Sequence, residues 1–240
     1  MTAAAYDAIA EWYDEALRAG SLHDLILPAL LRACGPVAGR RVCDLGCGSG
    51  VAARALARAG ARVVGVDLSA ALLAIARRYE AAEPLGVAYL RDDARALAAV
   101  ADGAFDGVAC NLALMDIDDL GATARAVRRV LRRGGWFACT ITHPCFLTPH
   151  ARSLREPDGA HRRLVWGYFA EGFWRSDNPD GVRGKVGARH RTLGTYLNTL
   201  LDAGLVLERF DEPAATGDLA ARFPIYAEVA AVAVLRCRAR

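Results

Sequence analysis

Hydrophobic residues along the chain alternate between short continuous runs and longer segments with helical spacing. The short runs predict buried strands, and the longer periodic segments predict helices. A helical region is predicted over residues 5–34, before the first strand. The predicted strands then cover 41–45, 62–66, 87–90, 105–111 and 136–142, and the helices between them cover 51–59, 69–82, 95–101 and 121–133. Strands that alternate with helices in this way form a parallel sheet, which binds ligands at the carboxyl ends of its strands.

The alternation stops after residue 143. Residues 144–190, which we call the lid, are rich in Pro, Gly, Arg and aromatic residues and show no clear period. An irregular insertion of this length in a compact domain is usually a binding segment or covers a site. The chain then returns to a predicted helix over 192–203 and to two predicted strands over 205–210 and 227–236.

A glycine-rich turn follows the first predicted strand. Residues 42–50 read Val-Cys-Asp-Leu-Gly-Cys-Gly-Ser-Gly, and residues 63–67 read Val-Val-Gly-Val-Asp. Glycine suits such a turn because it adopts dihedral angles that strain other residues and lets a ligand approach the backbone. Asp67 lies 17 residues past Gly50, so one strand-helix-strand unit can place its carboxylate beside the turn. The pattern indicates a nucleoside pocket in which Asp67 accepts both hydroxyls of a ribose.

The turn departs from the dinucleotide-binding fingerprint, which has its third glycine three residues after the second. Val51 occupies that position. Asp44 precedes the turn, where its charge would repel a pyrophosphate and attract a cation. The pattern Asp-x-Gly-x-Gly-x-Gly resembles the class I S-adenosylmethionine-dependent methyltransferases, whose ligand carries an ammonium and a sulfonium.

A second motif of that family follows the third predicted strand. There the family has an Asp-Ala pair that contacts adenine, and Asp93 and Ala94 occupy the matching places, with Asp92 one residue out of register. The glycine pair at 134–135 resembles the family's turn into its fifth strand. The matches together cover roughly residues 6–143 and 190–236.

The resemblance implies S-adenosyl-L-methionine as the cofactor and S-adenosyl-L-homocysteine as its product. Leu68 would lie against the adenine, and Asn111 and Leu112 would lie beside the methionine moiety. Tyr13 would close over the methionine end, unless residues 6–14 simply pack their aromatic side chains against the sheet as an amphipathic helix. The implied cofactor-binding residues are Tyr13, Asp44, Gly46, Cys47, Gly48, Asp67, Leu68, Asp93, Ala94, Asn111 and Leu112.

The resemblance also implies the fold. We expect an α/β, Rossmann-like, doubly wound and mostly parallel seven-stranded sheet with an antiparallel last strand and the lid inserted after strand five. Residues 1–240 would form a single methyltransferase domain. Its parts would be an N-terminal cap (1–34), a cofactor-binding core (35–143), a substrate lid (144–190), and a C-terminal helix and strand pair (191–240).

Methyl transfer is an in-line displacement, so the enzyme mainly has to align a nucleophile and exclude water. Alignment can supply on the order of 7–11 kcal/mol, whereas a general base adds ~10²–10⁴-fold, so a base is not obligatory. The candidate bases are Asp116 and His143, which follow strands four and five. His143 titrates near neutral pH, but it can equally be a hydrogen-bonding wall. Asp116 can instead cap the helix that follows it.

Aromatic residues are concentrated in the lid, where they can shape a pocket for an apolar or aromatic small molecule. Self-packing within the lid is the alternative. His190 belongs to a His-Arg-Thr segment similar to one found after the lids of a small-molecule methyltransferase subgroup, or it ties down the helix over 192–203. The candidate substrate-binding residues are Phe146, Trp166, Tyr168, Trp174 and His190.

Composition and charge are those of a globular domain. The 240 residues are 54% hydrophobic and 24% charged, with no run of eighteen apolar residues and no basic start before an apolar stretch, so neither a membrane span nor a signal peptide is expected. Seven cysteines without paired spacing fit small buried residues in a reducing compartment, and no metal site is expected. We therefore expect a cytoplasmic enzyme, either a monomer or a homodimer.

The charge pattern also bears on the acceptor. The net charge is only +3, and the arginines at 125–133 have the spacing of one solvated helix face. Residues 111–114 read Asn-Leu-Ala-Leu, whereas enzymes that methylate exocyclic base amines usually have Asn-Pro-Pro-Tyr there. A small-molecule acceptor with an oxygen or nitrogen nucleophile, used in secondary metabolism for example, is therefore favoured over nucleic acid. The alternatives are an RNA or protein methyltransferase, a cofactor-binding protein without catalysis, and a nicotinamide oxidoreductase, which Val51 and Asp44 oppose.

Overall fold

The first 142 residues alternate helices and strands around one sheet. The structure is a computed structural model that describes residues 4–18 and 22–240. Its elements up to the lid are α1 (Ala10–Arg18), α2 (His23–Cys34), β1 (Arg41–Leu45), α3 (Val51–Arg58), β2 (Arg62–Asp67), α4 (Ala70–Ala82), β3 (Ala88–Arg91), β4 (Phe105–Asn111), α5 (Leu120–Val130) and β5 (Leu131–Thr142). Short 3-10 turns at Asp7–Ile9 and Leu114–Asp116 precede α1 and follow β4.

The lid contains two β-hairpins, which its irregular sequence did not predict. The first pairs β6 (Arg152–Arg155) with β7 (His161–Leu164), and the second pairs β8 (Gly172–Trp174) with β9 (Ala188–His190) across the short helix α6 (Val182–Lys185). The chain ends with α7 (Leu193–Asp202), β10 (Leu205–Asp211), α8 (Gly217–Arg222), α9 (Ile225–Glu228) and β11 (Val232–Ala239).

The central sheet has seven strands in the spatial order β10-β11-β5-β4-β1-β2-β3. Strands β1 to β5 pair in parallel, and β11 runs antiparallel to both of its neighbours, β5 and β10. This arrangement confirms the predicted Rossmann-like sheet with an antiparallel last strand. Because parallel strands end at one edge, the loops after β1, β2 and β4 meet there.

Two apolar cores cover the faces of the sheet. In β5 the neighbours Trp136 and Phe137 enter opposite cores, because successive side chains of a strand point to opposite faces. Side-chain caps fix the starts of the helices: Ser69 Oγ accepts the Leu72 N–H of α4 at 3.1 Å, and Asp119 accepts the Ala122 N–H of α5 at 2.8 Å. Asp119, and not Asp116, thus caps this helix.

Three sequence predictions of secondary structure are wrong. No helix forms over 95–101, where Leu97 is fully buried at φ 47° in a series of turns. Helix α5 ends at Val130, because Leu131 already has the extended backbone of β5. The last strand begins at Val232, and the region before it forms α8 and α9. Within the described residues, no helix has the length and apolar character that crossing a membrane requires.

Candidate functional site

A cavity of about 430 Å³, which we call the first cavity, opens at the carboxyl ends of β1, β2 and β4. Its walls come from the N-terminal segment, the sheet loops and the lid. Of the residues proposed from sequence to bind cofactor or to catalyse, those that line it are Tyr13, Gly46, Gly48, Asp67, Leu68, Asp93, Ala94, Asn111, Leu112 and Asp116. Segments far apart in sequence therefore converge on one space.

The glycine turn after β1 is held in a conformation that a side chain would disturb. Gly46 has φ 67°, and a Cβ there would lie 2.4 Å from the Cβ of Ala113. The N–H groups of Gly46 and Cys47 both donate to the Val66 carbonyl, at 2.8 and 3.0 Å. These bonds join the turn to β2 and leave the Gly48 backbone at the cavity wall.

Asp67 is oriented by the turn that it faces. Its Oδ2 accepts the Gly48 N–H at 2.8 Å, and its Oδ1 accepts the Ser69 N–H at 2.8 Å. Burial raises the pKa of this carboxyl, and the two backbone N–H groups partly offset that rise. Each carboxylate oxygen keeps further acceptor capacity, so the group can receive a pair of hydroxyls from a ligand in the cavity.

The cavity wall at the end of β4 contains a strained backbone position, which hydrogen bonds hold in place. Leu112 has φ 52°, which is uncommon for a residue other than glycine, and its N–H donates to the carbonyl and hydroxyl oxygens of Thr140 at 3.1 and 3.0 Å. The Thr140 hydroxyl in turn donates to Asn111 Oδ1 at 2.7 Å. Backbone strain of this kind persists only where many surrounding contacts hold the residue in place, and it is concentrated at ligand-binding sites.

The loop after β3 contributes four consecutive lining residues, Asp92, Asp93, Ala94 and Arg95. Asp92 shapes the loop, since its carboxylate accepts the N–H groups of Asp93 at 2.7 Å and Ala99 at 2.9 Å. Asp93 forms an ion pair with Arg95 at 2.6 Å, which lowers its pKa. The loop thus presents the carboxylates of Asp92 and Asp93 and the methyl group of Ala94 to the cavity.

Asp44 and Cys47 do not line the first cavity. Asp44 is fully buried in β1 behind the glycine turn, and both carboxylate oxygens are without a hydrogen-bond partner among the described residues, the Ala53 N–H lying outside hydrogen-bonding geometry. Burial raises the pKa of Asp44 to about 7. A buried carboxylate without a partner is costly, so a cationic ligand group in front of it would be favoured. Cys47 is buried, and its Sγ lies near the Gly48 carbonyl.

The N-terminal segment and the lid meet over the first cavity. The Tyr6 hydroxyl donates to Asp116 Oδ2 at 3.2 Å, while Asp116 Oδ1 pairs with the Arg183 guanidinium from the lid. The Tyr6 and Tyr13 rings pack edge to face with centroids 5.0 Å apart, and burial raises the pKa of Tyr13 to about 12. Sequence reasoning proposed Tyr13 and missed Tyr6 and Arg183, because their contact with Asp116 spans much of the chain.

A second cavity of about 290 Å³ lies under the lid. It shares Met115, Ala188 and Arg189 with the first cavity, so the two adjoin. Of the proposed substrate-binding residues, Trp174 and His190 line it. Another lid aromatic residue, Phe173, lines the first cavity.

Three proposed substrate-binding residues, Phe146, Trp166 and Tyr168, line neither cavity. Trp166 is 45% exposed on the outside of the lid and stacks on His150. The Tyr168 hydroxyl accepts the Leu193 N–H at 2.8 Å, and its carbonyl oxygen lies 2.7 Å from His190 Nε2. Tyr168 thus joins the lid to α7.

His143, proposed from sequence as a candidate base, lies away from both cavities. His143 is 2% exposed and lines neither cavity. Its Nδ1 accepts the Cys145 N–H at 3.2 Å and its Nε2 lies 2.7 Å from Glu212 Oε1, so the ring donates its proton to Glu212. Phe146 packs on the ring at 4.7 Å. Both ring nitrogens thus form hydrogen bonds within the protein, and the bond to Glu212 links the end of β5 to the C-terminal segment.

Comparison with known proteins agrees with this site. Residues 43–139 match the methyltransferase domain family. The chain is 30% identical to an S-adenosylmethionine-dependent methyltransferase structure from Mesorhizobium loti, over 91% of this chain and 98% of that one, with a TM-score of 0.76. It is also 36% identical over 134 residues to a ubiquinone biosynthesis O-methyltransferase of Ralstonia nicotianae, and 33% identical over 135 residues to one of Pseudomonas aeruginosa.

The chain belongs to the S-adenosylmethionine-dependent methyltransferases, as the glycine turn and the spaced acids predicted. The matches to the two ubiquinone biosynthesis enzymes cover 55% of this chain, and 56% and 58% of those proteins. The chain thus spans little more than half the length of these curated relatives. The first cavity fits the family's cofactor, because it combines a glycine cradle, the oriented Asp67 and the unpartnered Asp44 behind the turn.

Proposed function

We propose that the protein transfers the methyl group of S-adenosyl-L-methionine to an oxygen or nitrogen of a small-molecule acceptor. One observation carries the proposal: the first cavity, which fits the cofactor, adjoins a second cavity under the lid across Met115, Ala188 and Arg189. An acceptor in the second cavity would reach a methyl group held in the first. The names of the two ubiquinone biosynthesis relatives favour oxygen as the nucleophile.

In this proposal the residues of the first cavity hold the cofactor. Asp67 would bind the ribose hydroxyls, Leu68 and Ala94 would contact the adenine, and Asn111 would line the methionine end. The bound cofactor supplies an electrophilic methyl group on a sulfonium. Tyr6 and Tyr13 would close over this end and exclude water, which protects the reactive methyl and strengthens local electrostatics.

Asp116 is the proposed proton acceptor. It lines the first cavity beside the wall shared with the second, where it could receive the proton that the acceptor hydroxyl or amine releases during attack. Burial raises the pKa of Asp116, which makes its carboxylate a stronger proton acceptor, and the Arg183 guanidinium partly offsets that rise. Arg183 also holds the carboxylate in place, and the geometry favours Asp116 over His143 for this role.

The test combines binding with labelled transfer. S-adenosylhomocysteine should raise the melting temperature of the protein, whereas NAD should not. Methyl-labelled S-adenosylmethionine should then transfer its label to the small-molecule fraction of a cell extract, and not to its RNA or protein. Label in RNA or protein would support the alternative acceptors, and cofactor binding without any transfer would support a non-catalytic role. A cytoplasmic location, and a monomeric or homodimeric state, stay predictions.

A further inference from the structure

The wall of the second cavity is strongly basic. Four arginines and one histidine line it, and no aspartate or glutamate is among its lining residues. These basic residues are Arg163, Arg183, Arg189, Arg191 and His190. They come from β7, α6, β9 and the residue after β9, so the fold gathers positive charge from separate parts of the chain.

Two of the arginines have carboxylate partners. Arg183 pairs with Asp116, and Arg189 pairs with Asp118 at 2.6 Å. Both acidic residues line the first cavity rather than the second. The charges of Arg183 and Arg189 are therefore balanced by the protein itself.

Arg163 and Arg191 differ, because neither forms an ion pair within the described part of the chain. Arg163 donates to the Phe146 carbonyl and to Ser153 Oγ, both at 2.8 Å. Arg191 is only 8% exposed, and its guanidinium donates to three backbone carbonyls, those of Leu114, Ile117 and Asp118. Both side chains thus bring a full positive charge to the cavity wall with neutral partners only.

Removing a charge from water without an opposite charge is unfavourable. Burial lowers the pKa of the Arg163 guanidinium, because removal from water disfavours its charged form. A carboxylate or phosphate in the cavity would offset it, since guanidinium groups bind both with short, paired hydrogen bonds. Hydroxyl groups stand nearby on the lining residues Thr142, Thr148, Ser176 and Tyr196.

The remaining lining is apolar and would hold the body of such a ligand. It includes Trp174, Leu147, Pro144 and Met115, the last of which also borders the first cavity. The volume of about 290 Å³ lies near the lower end of the range of small-molecule sites. This space suits a compact metabolite with an apolar body and one acidic group.

We propose that the second cavity binds a methyl acceptor that carries a carboxylate or phosphate group, and that Arg163 and Arg191 recognise this group. The inference rests on the proposed function and deepens it by giving the acceptor a chemical class. The anionic group would lie against the arginines, and the nucleophile would point past Met115 into the first cavity.

Binding with matched probes tests the arginine site. We would measure the affinity of 3,4-dihydroxybenzoate, of its neutral analogue 3,4-dihydroxybenzamide and of inorganic phosphate by calorimetry, with S-adenosylhomocysteine saturating. We expect at least tenfold tighter binding of the benzoate than of the amide. Arg163→Gln should remove that preference and Arg163→Lys should keep part of it. Arg162→Gln is the matched control, because Arg162 is the exposed neighbour on β7 and does not line the cavity.

Two results would overturn the inference: absence of any preference for an anionic probe over the amide, or equal losses in Arg162→Gln and Arg163→Gln. A second experiment separates this failure from failure of the proposed function. Cell metabolites would be divided on an anion exchanger and each fraction offered with methyl-labelled cofactor. Label confined to retained, anionic compounds supports the inference. Label confined to neutral compounds overturns it and leaves the proposed function standing, whereas no label in any fraction counts against both.

Discussion

The carboxylate of Asp116 and the guanidinium of Arg183 form an ion pair between the 3-10 turn after β4 and the lid. Asp116 lines the first cavity and Arg183 lines the second, so the pair forms part of the wall between them. Tyr6 from the N-terminal segment donates to the same carboxylate. Three distant segments are thus joined where methyl transfer is proposed to occur.

Replacing Asp116 by Asn should reduce methyl transfer ~10²–10⁴-fold if Asp116 accepts the proton. The affinity for S-adenosylhomocysteine should change less than threefold, because an amide retains most of the contacts. Single-turnover rates and calorimetry would measure the two effects. Asp118→Asn is the control, since Asp118 also lines the first cavity but is largely exposed. Equal rates in both variants would leave alignment alone as the source of catalysis.

Replacing Asp67 by Asn should weaken S-adenosylhomocysteine binding tenfold or more. Hydrogen bonds from ligand hydroxyls to a charged acceptor contribute about 1.5–3 kcal/mol each, and an amide cannot accept at both positions while Gly48 and Ser69 also donate there. Calorimetry measures the change. Asp102→Asn, which removes only an exposed ion pair with Arg129, should bind as the native protein does. An unchanged affinity in Asp67→Asn would refute the ribose assignment.

Trp174 and Trp166 provide a matched comparison within the lid. Trp174 lines the second cavity, whereas Trp166 lies on the outer surface. We expect Trp174→Ala to lower kcat/KM for the acceptor at least tenfold, with cofactor affinity within a few fold, and Trp166→Ala to change both little. Steady-state kinetics would measure this with any acceptor found by labelled transfer. Comparable losses of acceptor and cofactor binding in Trp174→Ala would mean that Trp174 mainly supports the fold.

Replacing His143 by Gln should leave most of the methyl-transfer rate. Its ring nitrogens bond to Cys145 and Glu212 rather than facing a cavity, so the reaction loses no proton acceptor. We expect a rate within threefold of the native value and a lower melting temperature, because the fastening to the C-terminal segment is weakened. A loss of ~10²-fold or more in a folded protein would restore His143 as the base.

The buried carboxyl of Asp44 should make stability fall as pH rises. The pKa of Asp44 is about 7 in the folded protein, whereas an ordinary aspartate has a pKa of 3.8. Between these two pH values Asp44 is protonated in the folded state and ionised in the unfolded state. Stability without cofactor is therefore lost progressively from about pH 4 to about pH 7. Asp44→Asn lacks this ionisation. The melting temperature of the variant minus that of the native protein should therefore be larger at pH 8 than at pH 5. A change of 1 kcal/mol in stability corresponds to roughly 2–4 °C. The same difference at both pH values would contradict the assignment.

The sequence by itself determined the sheet and the cofactor side of the site, because their signals are local. The glycine turn and Asp67 belong to one strand-helix-strand unit, whose geometry follows from hydrophobic periodicity and from the few residues that a tight turn accepts. The Asp93-Ala94 pair and the end of β4 at Asn111 could be found for the same reason: parallel strands end at a common edge.

Only the tertiary structure decided the direction of side chains and the pairing of distant segments. His143 follows β5 as expected, but Glu212, which lies 69 residues further on, turns its ring away from the cavities. Leu97 is buried at positive φ and replaces the predicted helix with turns. The basic wall formed by Arg163 and Arg191 has no local pattern, because packing of the lid against the sheet, and not periodicity along the chain, brings their charges together.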